Sequence, residues 1–328
     1  MRYPILAAGF CAVASMAAAQ TPVLTVYTYD SFTADWGPGP AVEKAFEKTC
    51  GCDLKFVSAG DGAALLSRLK LEGKRTKADV VLGLDTSLTA DARATGLFAP
   101  HGALPKLDLP IKWTDPTFVP FDWGWFAMVY DKTKVKDVPH SFKELADSKL
   151  KVVIEDPRSS TPGLGLLLWV KDAYGDKAAD IWKGLADNIT TVTPGWSEAY
   201  GLFLKGEADM VLSYTTSPAY HLIAEKDDTK AAAEFKEGHY MEVEVAAKVA
   251  TTKHPKLADE FLKFVTSDAF QSIIPETNWM YPAVTPKAGL PKGFDTLITP
   301  AKTLLYPADE VPAIRKKALE EWRTALSQ

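Results

Sequence analysis

The fold is decided by five segments: VLTVYTYD (23–30), PAVEKAFEKT (40–49), CDLKFVSA (52–59), GAALLSRLKLEG (62–73) and KADVVLGLD (77–85). The first, third and fifth have the β-branched, alternating or continuously apolar character of strands, and the other two have helical spacing. Strands that alternate with helices usually form parallel sheets. This stretch therefore predicts an α/β fold.

A second α/β unit follows. Strands are predicted at WGWFAMVYD (123–131), KVVIED (151–156), ADMVLSYT (208–215) and MEVEVAAKVA (241–250), and helices at 141–148, 162–173, 178–186, 197–205 and 313–326. The strand at 241–250 could return the chain to the first unit. A chain of 328 residues is long enough for two lobes.

Composition excludes several function classes. Lys and Arg number 37 against 42 Asp and Glu, a net charge of −5, which is atypical of a nucleic-acid-binding protein. The five histidines are scattered, and the sequence has no H-E-x-x-H motif and no acidic calcium loop. We therefore expect no metal, no cofactor and no nucleic-acid partner.

The first twenty residues, MRYPILAAGFCAVASMAAAQ, read as a secretory signal. An early Arg2 precedes an apolar run at 5–16, and small residues follow it, so cleavage is expected near Ala19 or Gln20. The run is shorter than the roughly 20 residues that span a bilayer. Bulky Phe10 before Cys11 argues against a lipoprotein. The sequence thus predicts an exported protein.

Two cysteines remain after the signal is removed. Cys50 and Cys52 form a C-G-C sequence in a compartment where disulfides persist. A bridge between residues two apart requires strained geometry, so two free thiols are an equal alternative.

Candidate binding residues follow the predicted strands, because open parallel sheets bind ligands beyond the carboxyl ends of their strands. They are Tyr29, Asp30, Asp35 and Trp36 after the first strand, Asp61 and Gly62 after the second, Ser160 and Thr161 after KVVIED, and Ser217 and Tyr220 after ADMVLSYT. Thr161, Ser217 and Ser197 are expected to cap helices, with Pro162 and Pro218 in the first turns and Trp196 just before its helix.

These side chains favour one kind of ligand. Five aromatic residues suit a flat or cationic group: Trp36, Trp196, Tyr214, Tyr220 and Trp279. Asp61 can pair with a cation, and the capped helix starts can hold a phosphate or hydroxyl. Each of these residues alone is more commonly structural, and it is their joint placement after strands that predicts a site for a planar cation with an anionic or hydroxyl tail.

Six longer segments carry a family resemblance: VLTVYTYDSFTADWGPGP (23–40), KADVVLGLD (77–85), TFVPFDWGWFAMVYD (117–131), DPRSSTPGLGLLLW (156–169), GWSEAYGLFLKGEADMVLSYTTSPAYH (195–221) and NWMYP (278–282). Through them the chain resembles the thiamine-binding periplasmic proteins of bacterial ABC transporters, from about Pro22 to the C-terminal helix. The resemblance implies a periplasmic location and a type 2 periplasmic-binding-protein fold, in which two α/β lobes close on a ligand.

The resemblance also implies the lobe boundaries. The crossing segments fall near 119–125 and 237–244. A signal at 1–19 precedes lobe 1, at 20–120 plus about 243–300, and lobe 2, at 121–242 plus about 301–328.

By the same resemblance, the ligand-contacting positions are Asp61, Gly62, Ser160, Thr161, Trp196, Tyr214, Thr215, Thr216 and Ser217, with Tyr29, Trp36, Tyr220 and Trp279 as aromatic lining. The implied ligands are thiamine and its phosphate esters, and the implied partner is a membrane permease. A receptor that closes in this way is expected to act as a monomer and to have no catalytic residue.

Three alternatives remain. An exported thiamine-cleaving enzyme would need a cleft nucleophile. Cys50 and Cys52 lie between the end of a helix and the start of a strand, away from the carboxyl ends of the strands where the site is expected. A ferric-iron receptor usually supplies adjacent tyrosines, whereas Tyr214 and Tyr220 are six apart. A polyamine receptor would use several carboxylates, for which Asp30, Asp35 and Asp61 are candidates.

Overall fold

The computed structural model describes residues 21–102 and 104–327. The strands are β1 (Val23–Thr28), β2 (Asp53–Ser58), β3 (Val80–Asp85), β4 (Phe98–Ala99), β5 (Val119–Asp131), β6 (Val152–Glu155), β7 (Ile189–Thr193), β8 (Met210–Tyr214), β9 (Lys230–Ala232), β10 (His239–Val249), β11 (Tyr281–Pro282) and β12 (Thr303–Leu304).

The α-helices are α1 (Asp30–Thr33), α2 (Gly39–Cys50), α3 (Gly62–Glu72), α4 (Thr89–Ala94), α5 (Phe142–Asp147), α6 (Thr161–Tyr174), α7 (Ala178–Leu185), α8 (Trp196–Leu204), α9 (Ser217–Tyr220), α10 (Pro255–Val265), α11 (Asp268–Gln271), α12 (Ile274–Thr277) and α13 (Val311–Leu326). In the part of the chain described, no helix combines the length and the apolar character needed to cross a membrane. The predicted signal and its cleavage site lie outside the described residues.

The predicted α/β fold is confirmed. Strand β1 pairs in parallel with both β2 and β3, as the alternation of strands and helices required. Strand β6 likewise pairs in parallel with β7 and β8. Sequence periodicity missed β7, because three of its five residues, Thr190, Thr191 and Val192, are exposed and form no apolar run.

Two long antiparallel strands join the halves of the sheet, whose order is β2-β1-β3-β10-β5-β8-β6-β7. The first part of β5 pairs with β10, from Val119 opposite Ala246 to Trp125 opposite Met241. The second part of β5 pairs with β8. We call β2, β1, β3 and β10 the first half of the sheet, and β5, β8, β6 and β7 the second half. Because pairing continues through both halves, it sets no boundary between lobes, and the boundaries given above remain a prediction.

Helix α6 is the most buried helix of the second half. Its residues 161–171 are all buried, and Gly165 lets the ring of Phe126 lie directly on the helix backbone. Trp169 is fully buried and donates a hydrogen bond from Nε1 to the carbonyl oxygen of Gly238 at 2.8 Å. This packing fixes the direction in which the start of α6 points, which is toward the site described below.

Cys50 and Cys52 are joined by a disulfide, with 5.2 Å between their Cα atoms. The bridge closes a loop of three residues, so it removes little entropy from the unfolded chain. We expect reduction to lower the free energy of unfolding by less than about 2 kcal/mol. Urea unfolding with and without reductant measures this, and a loss well above that value would show that the bridge also holds the end of α2 in place.

Candidate ligand-binding site

A cavity of about 500 Å³ lies where several strands of both halves end. It is lined by Tyr29, Ser31, Trp36, Asp61, Thr161, Pro162, Trp196, Ser197, Tyr200, Gly201, Leu204, Tyr214, Ser217, Tyr220, Ala224, Glu244, Glu276, Thr277, Asn278, Trp279 and Met280. Tyr29 follows β1, Asp61 follows β2, and Thr161 follows β6. The position of the cavity therefore agrees with the rule for open parallel sheets.

Most of the predicted site residues meet in this cavity. The nine that line it are Tyr29, Trp36, Asp61, Thr161, Trp196, Tyr214, Ser217, Tyr220 and Trp279. The remaining four, Gly62, Ser160, Thr215 and Thr216, lie behind its wall, and the last three are fully buried. Direct contact of these thirteen residues with a ligand remains a prediction.

Five of the seven rings that line the cavity form two groups. Trp36 lies 6.1 Å from Trp196 between centroids, and Trp196 stacks on Tyr200 at 4.9 Å. A hydrogen bond of 2.8 Å from Nε1 of Trp196 to Ser213 fixes the indole. These rings, from segments attached to both halves, offer flat faces to a planar group.

The second group pairs Tyr220 with Trp279, whose centroids lie 5.4 Å apart. Trp279 has a φ of +56°, which a bulky residue rarely adopts. Backbone strain of this kind concentrates at binding sites. The left-handed turn after α12 thus places the indole against the cavity.

The starts of α3 and α6 touch each other across the cavity wall. Asp61 caps α3 by accepting a hydrogen bond from the Gly62 amide at 2.9 Å. A Cβ on Gly62 would overlap Oγ1 of Thr161, so glycine permits this approach. The amide of Ala64 donates to the Ser159 carbonyl oxygen at 3.0 Å. Because α3 follows the first half of the sheet and α6 the second, these contacts hold the two halves together.

The expected caps of α6 and α9 are wrong by one residue, and the expected cap of α8 is wrong by two. Helix α6 is capped by Ser160, whose hydroxyl accepts from the Gly163 amide, and Thr161 is its first residue. Helix α9 begins at Ser217 itself, and the Ser217 hydroxyl accepts from the Tyr214 amide instead of capping. Helix α8 begins at Trp196 after Gly195. In each case a residue further upstream occupies the N-cap position. The hydroxyl that was expected to cap therefore lies beside the cavity, as for Thr161 and Ser197, or accepts from a loop amide, as for Ser217.

The cavity is acidic. Its lining includes Asp61, Glu244 and Glu276, and none of the described lining residues is Lys, Arg or His. Oδ2 of Asp61 and Oγ1 of Thr161 are buried without a hydrogen-bond partner. Burial raises the pKa of Asp61, and the Ser160 hydroxyl and nearby amides partly oppose this rise. These unpaired oxygens can accept donors from a cationic ligand.

Twelve lining residues were not predicted as site residues, and three of them matter for the chemistry below: Tyr200, Glu244 and Asn278. Tyr200 lies one helical turn after Trp196, a spacing that places both on one face of α8. Glu244 interrupts the apolar strand MEVEVAAKV, and an acidic residue in a buried strand is itself an indication of function. Asn278 precedes Trp279 and shows no comparable pattern.

One histidine cluster borders the site. His221, Glu225 and Asp227 bring ligand atoms within 4.8 Å of one another. Both ring nitrogens of His221 are occupied, by Glu225 at 2.6 Å and by the Tyr200 hydroxyl at 2.8 Å, and Asp227 pairs with Lys230 at 3.0 Å. This arrangement is a hydrogen-bonded network that supports Tyr200 from behind.

Comparisons with known proteins agree with this geometry. Residues 30–272 match the family described as bacterial extracellular solute-binding protein. The chain is 58% identical over 310 residues to the thiamine-binding periplasmic protein of Salmonella typhimurium, covering 94% of each chain, and equally to that of Escherichia coli. A solved structure of a periplasmic thiamin binding protein superposes with a TM-score of 0.92, at 57% identity, covering 95% of this chain and 98% of that one.

These findings confirm the family resemblance, the two-lobed type 2 fold and the periplasmic location predicted from the sequence. The matched residues contain β2 to β10, most of the cavity lining and the contact between α3 and α6. The chain belongs to the bacterial extracellular solute-binding protein family.

Proposed function

We propose that this protein captures thiamine in the periplasm and delivers it to the permease of an ABC transporter, as a monomer. The observation that carries this proposal is a ring-lined cavity whose charged side chains are all acidic among the described residues. Relatives named thiamine-binding periplasmic proteins support it.

The chemistry of thiamine matches the cavity. Its thiazolium ring carries a fixed positive charge, which aromatic faces attract with about 0.5–2 kcal/mol per contact. Its aminopyrimidine is flat and donates hydrogen bonds, for which the free Oδ2 of Asp61 is an acceptor. Its hydroxyethyl or phosphate end fits the start of α6, where the Thr161 hydroxyl has no hydrogen-bond partner and the helix dipole is positive.

The available contacts suffice for tight binding. A micromolar Kd corresponds to about 8 kcal/mol and a nanomolar Kd to about 12 kcal/mol. Stacking on both ring groups, with charge-assisted hydrogen bonds of about 1.5–3 kcal/mol each, reaches this range when the rings are preorganised. The hydrogen bond of Trp196 and the stack of Trp196 on Tyr200 provide that preorganisation.

Binding without catalysis is part of the proposal. The mature cysteines are joined to each other and lie just before β2, whereas the cavity lies beyond its other end. They therefore offer no nucleophile to a bound ligand. Two of the carboxylates expected of a polyamine site, Asp30 and Asp35, do not line the cavity, whereas Asp61, Glu244 and Glu276 do, so spermidine is included in the titration below.

Titration of tryptophan fluorescence tests the function. Thiamine and its phosphates should change the emission of Trp36, Trp196 and Trp279 at micromolar concentration or below, because all three line the cavity. Spermidine and ferric citrate serve as competing ligands. Chromatography of the same samples should return intact thiamine. No response to thiamine, or a stronger response to either competitor, would contradict the proposal, and cleavage products would show an enzyme.

A further inference from the structure

Besides Glu276 of the lining, six carboxyl groups lie at the cavity or directly behind it: Asp61, Asp85, Asp122, Glu155, Glu242 and Glu244. None of the six forms a salt bridge with a described residue. Glu155 and Glu242 are fully buried, and neither carboxylate oxygen of either residue has a hydrogen-bond partner. Buried carboxylates without cations are strongly destabilised, so this region favours bound protons.

Asp122 and Glu244 form a pair beside the cavity, which Glu244 lines. They lie opposite each other on β5 and β10, and they are 0% and 5% exposed. Oδ2 of Asp122 accepts from Asn278 at 2.7 Å, and Oε2 of Glu244 accepts from the Tyr29 hydroxyl at 2.9 Å. Tyr29, Asn278 and Glu244 all line the cavity, so the pair is in direct contact with the binding space.

The groups that face this pair are acidic or neutral on every element packed against it. They are Tyr29 after β1, Asp85 opposite Glu244 at the end of β3, Tyr214 at the end of β8, Glu242 on β10 and Asn278 after α12. Burial raises the pKa of Asp122 to about 7. Burial and the neighbouring Asp122 raise the pKa of Glu244 as well. Two buried carboxyls this close together, with no cation beside them, favour a protonated form of the pair.

We propose that binding of the cationic ligand expels the proton held by the Asp122–Glu244 pair, so that uptake of the ligand is linked to release of a proton. The inference rests on the proposed function. A fixed positive charge beside Glu244 stabilises the ionised pair. The carboxyl O–H bond breaks, its electrons remain on the carboxylate, and the proton passes to a buffer base.

The sign of the pH dependence follows from this linkage. The ligand lowers the pKa of the pair, so the complex loses its proton at a lower pH than the free protein does. At a pH below the pKa of the pair in both the free protein and the complex, binding releases no proton. At a pH above both of these values it also releases none. Between them the Kd should fall as pH rises, by up to about tenfold per pH unit.

Isothermal titration calorimetry with thiamine, in buffers that differ in ionisation enthalpy, tests the proposal. Wild-type protein should release up to about one proton per ligand between about pH 5.5 and 7.5. Glu244→Gln retains an acceptor for Tyr29 but removes the titrating group, so its proton release should be smaller and its Kd less dependent on pH. Glu207→Gln, at an exposed position outside the cavity, is the matched control and should behave as wild type.

The possible outcomes distinguish the claim of proton release from the claim of thiamine binding. Wild-type protein that binds thiamine with no proton release in any buffer overturns the inference and leaves the proposed function intact, and this test needs no variant to fold. Equal release in wild type and in both Glu244→Gln and Asp122→Asn overturns it too, since any proton exchanged by the ligand itself is common to all three. Failure of wild type to bind thiamine overturns the function instead.

Discussion

Asp61→Asn should weaken thiamine binding by about 10- to 150-fold, which is about 1.5–3 kcal/mol, the usual contribution of a hydrogen bond to a charged group. Asparagine keeps the shape of the side chain and remains a good helix cap, so α3 should be unaffected. What the substitution removes is the negative charge of the unpartnered Oδ2.

Fluorescence or calorimetric titration measures this effect. Asp187→Asn, at an exposed position away from the cavity, is the matched control. Equal affinities for Asp61→Asn and wild type, with an unchanged melting temperature, would show that Asp61 only caps α3.

Gly62→Ala should weaken binding by about 5- to 150-fold, because overpacking of a tight contact typically costs about 1–3 kcal/mol. The new Cβ would overlap Oγ1 of Thr161 and lie 3.1 Å from the Gly83 carbonyl oxygen. The first overlap exists only while the starts of α3 and α6 touch. Binding should therefore suffer more than folding, since the lobe closure that the family resemblance implies is what brings these two helix starts together.

A double-mutant cycle with Thr161→Ala identifies the contact. Adding Gly62→Ala to Thr161→Ala should cost clearly less than adding it to wild type, since the overlapping oxygen is gone. Gly102→Ala, where a Cβ meets no described atom within 4 Å, is the control. The same cost in both backgrounds would show that the contact between helix starts does not govern binding.

Sequence periodicity predicted most of the strands and helices of the two α/β units. Strands β1, β3 and β8 have strong apolar or β-branched character, and the amphipathic or glycine-terminated segments of α2 and α3 are equally plain. The exposed edge strand β7 gave no such pattern. Sequence also could not show that β5 and β10 continue through both halves, because register between distant strands depends on tertiary packing.

The candidate site was also predicted in part, since nine of the thirteen predicted residues line the cavity. Tyr29, Asp61 and Thr161 follow strand ends, and that local rule was enough to bring them together. Glu244 and its partner Asp122 lie within strands that run antiparallel, so no rule about strand ends reaches them. The cap of α6 was predicted one residue late because both Ser160 and Thr161 can cap a helix, and backbone geometry decides between them.

The most direct test of the account is a crystal structure of the protein grown with thiamine. We expect its positively charged ring among Trp36, Trp196, Tyr220 and Trp279, with Asp61 within hydrogen-bonding distance of the ligand. Density for the vitamin outside this cavity, or a ligand that leaves those indoles and the Asp61 carboxylate untouched, would contradict the account.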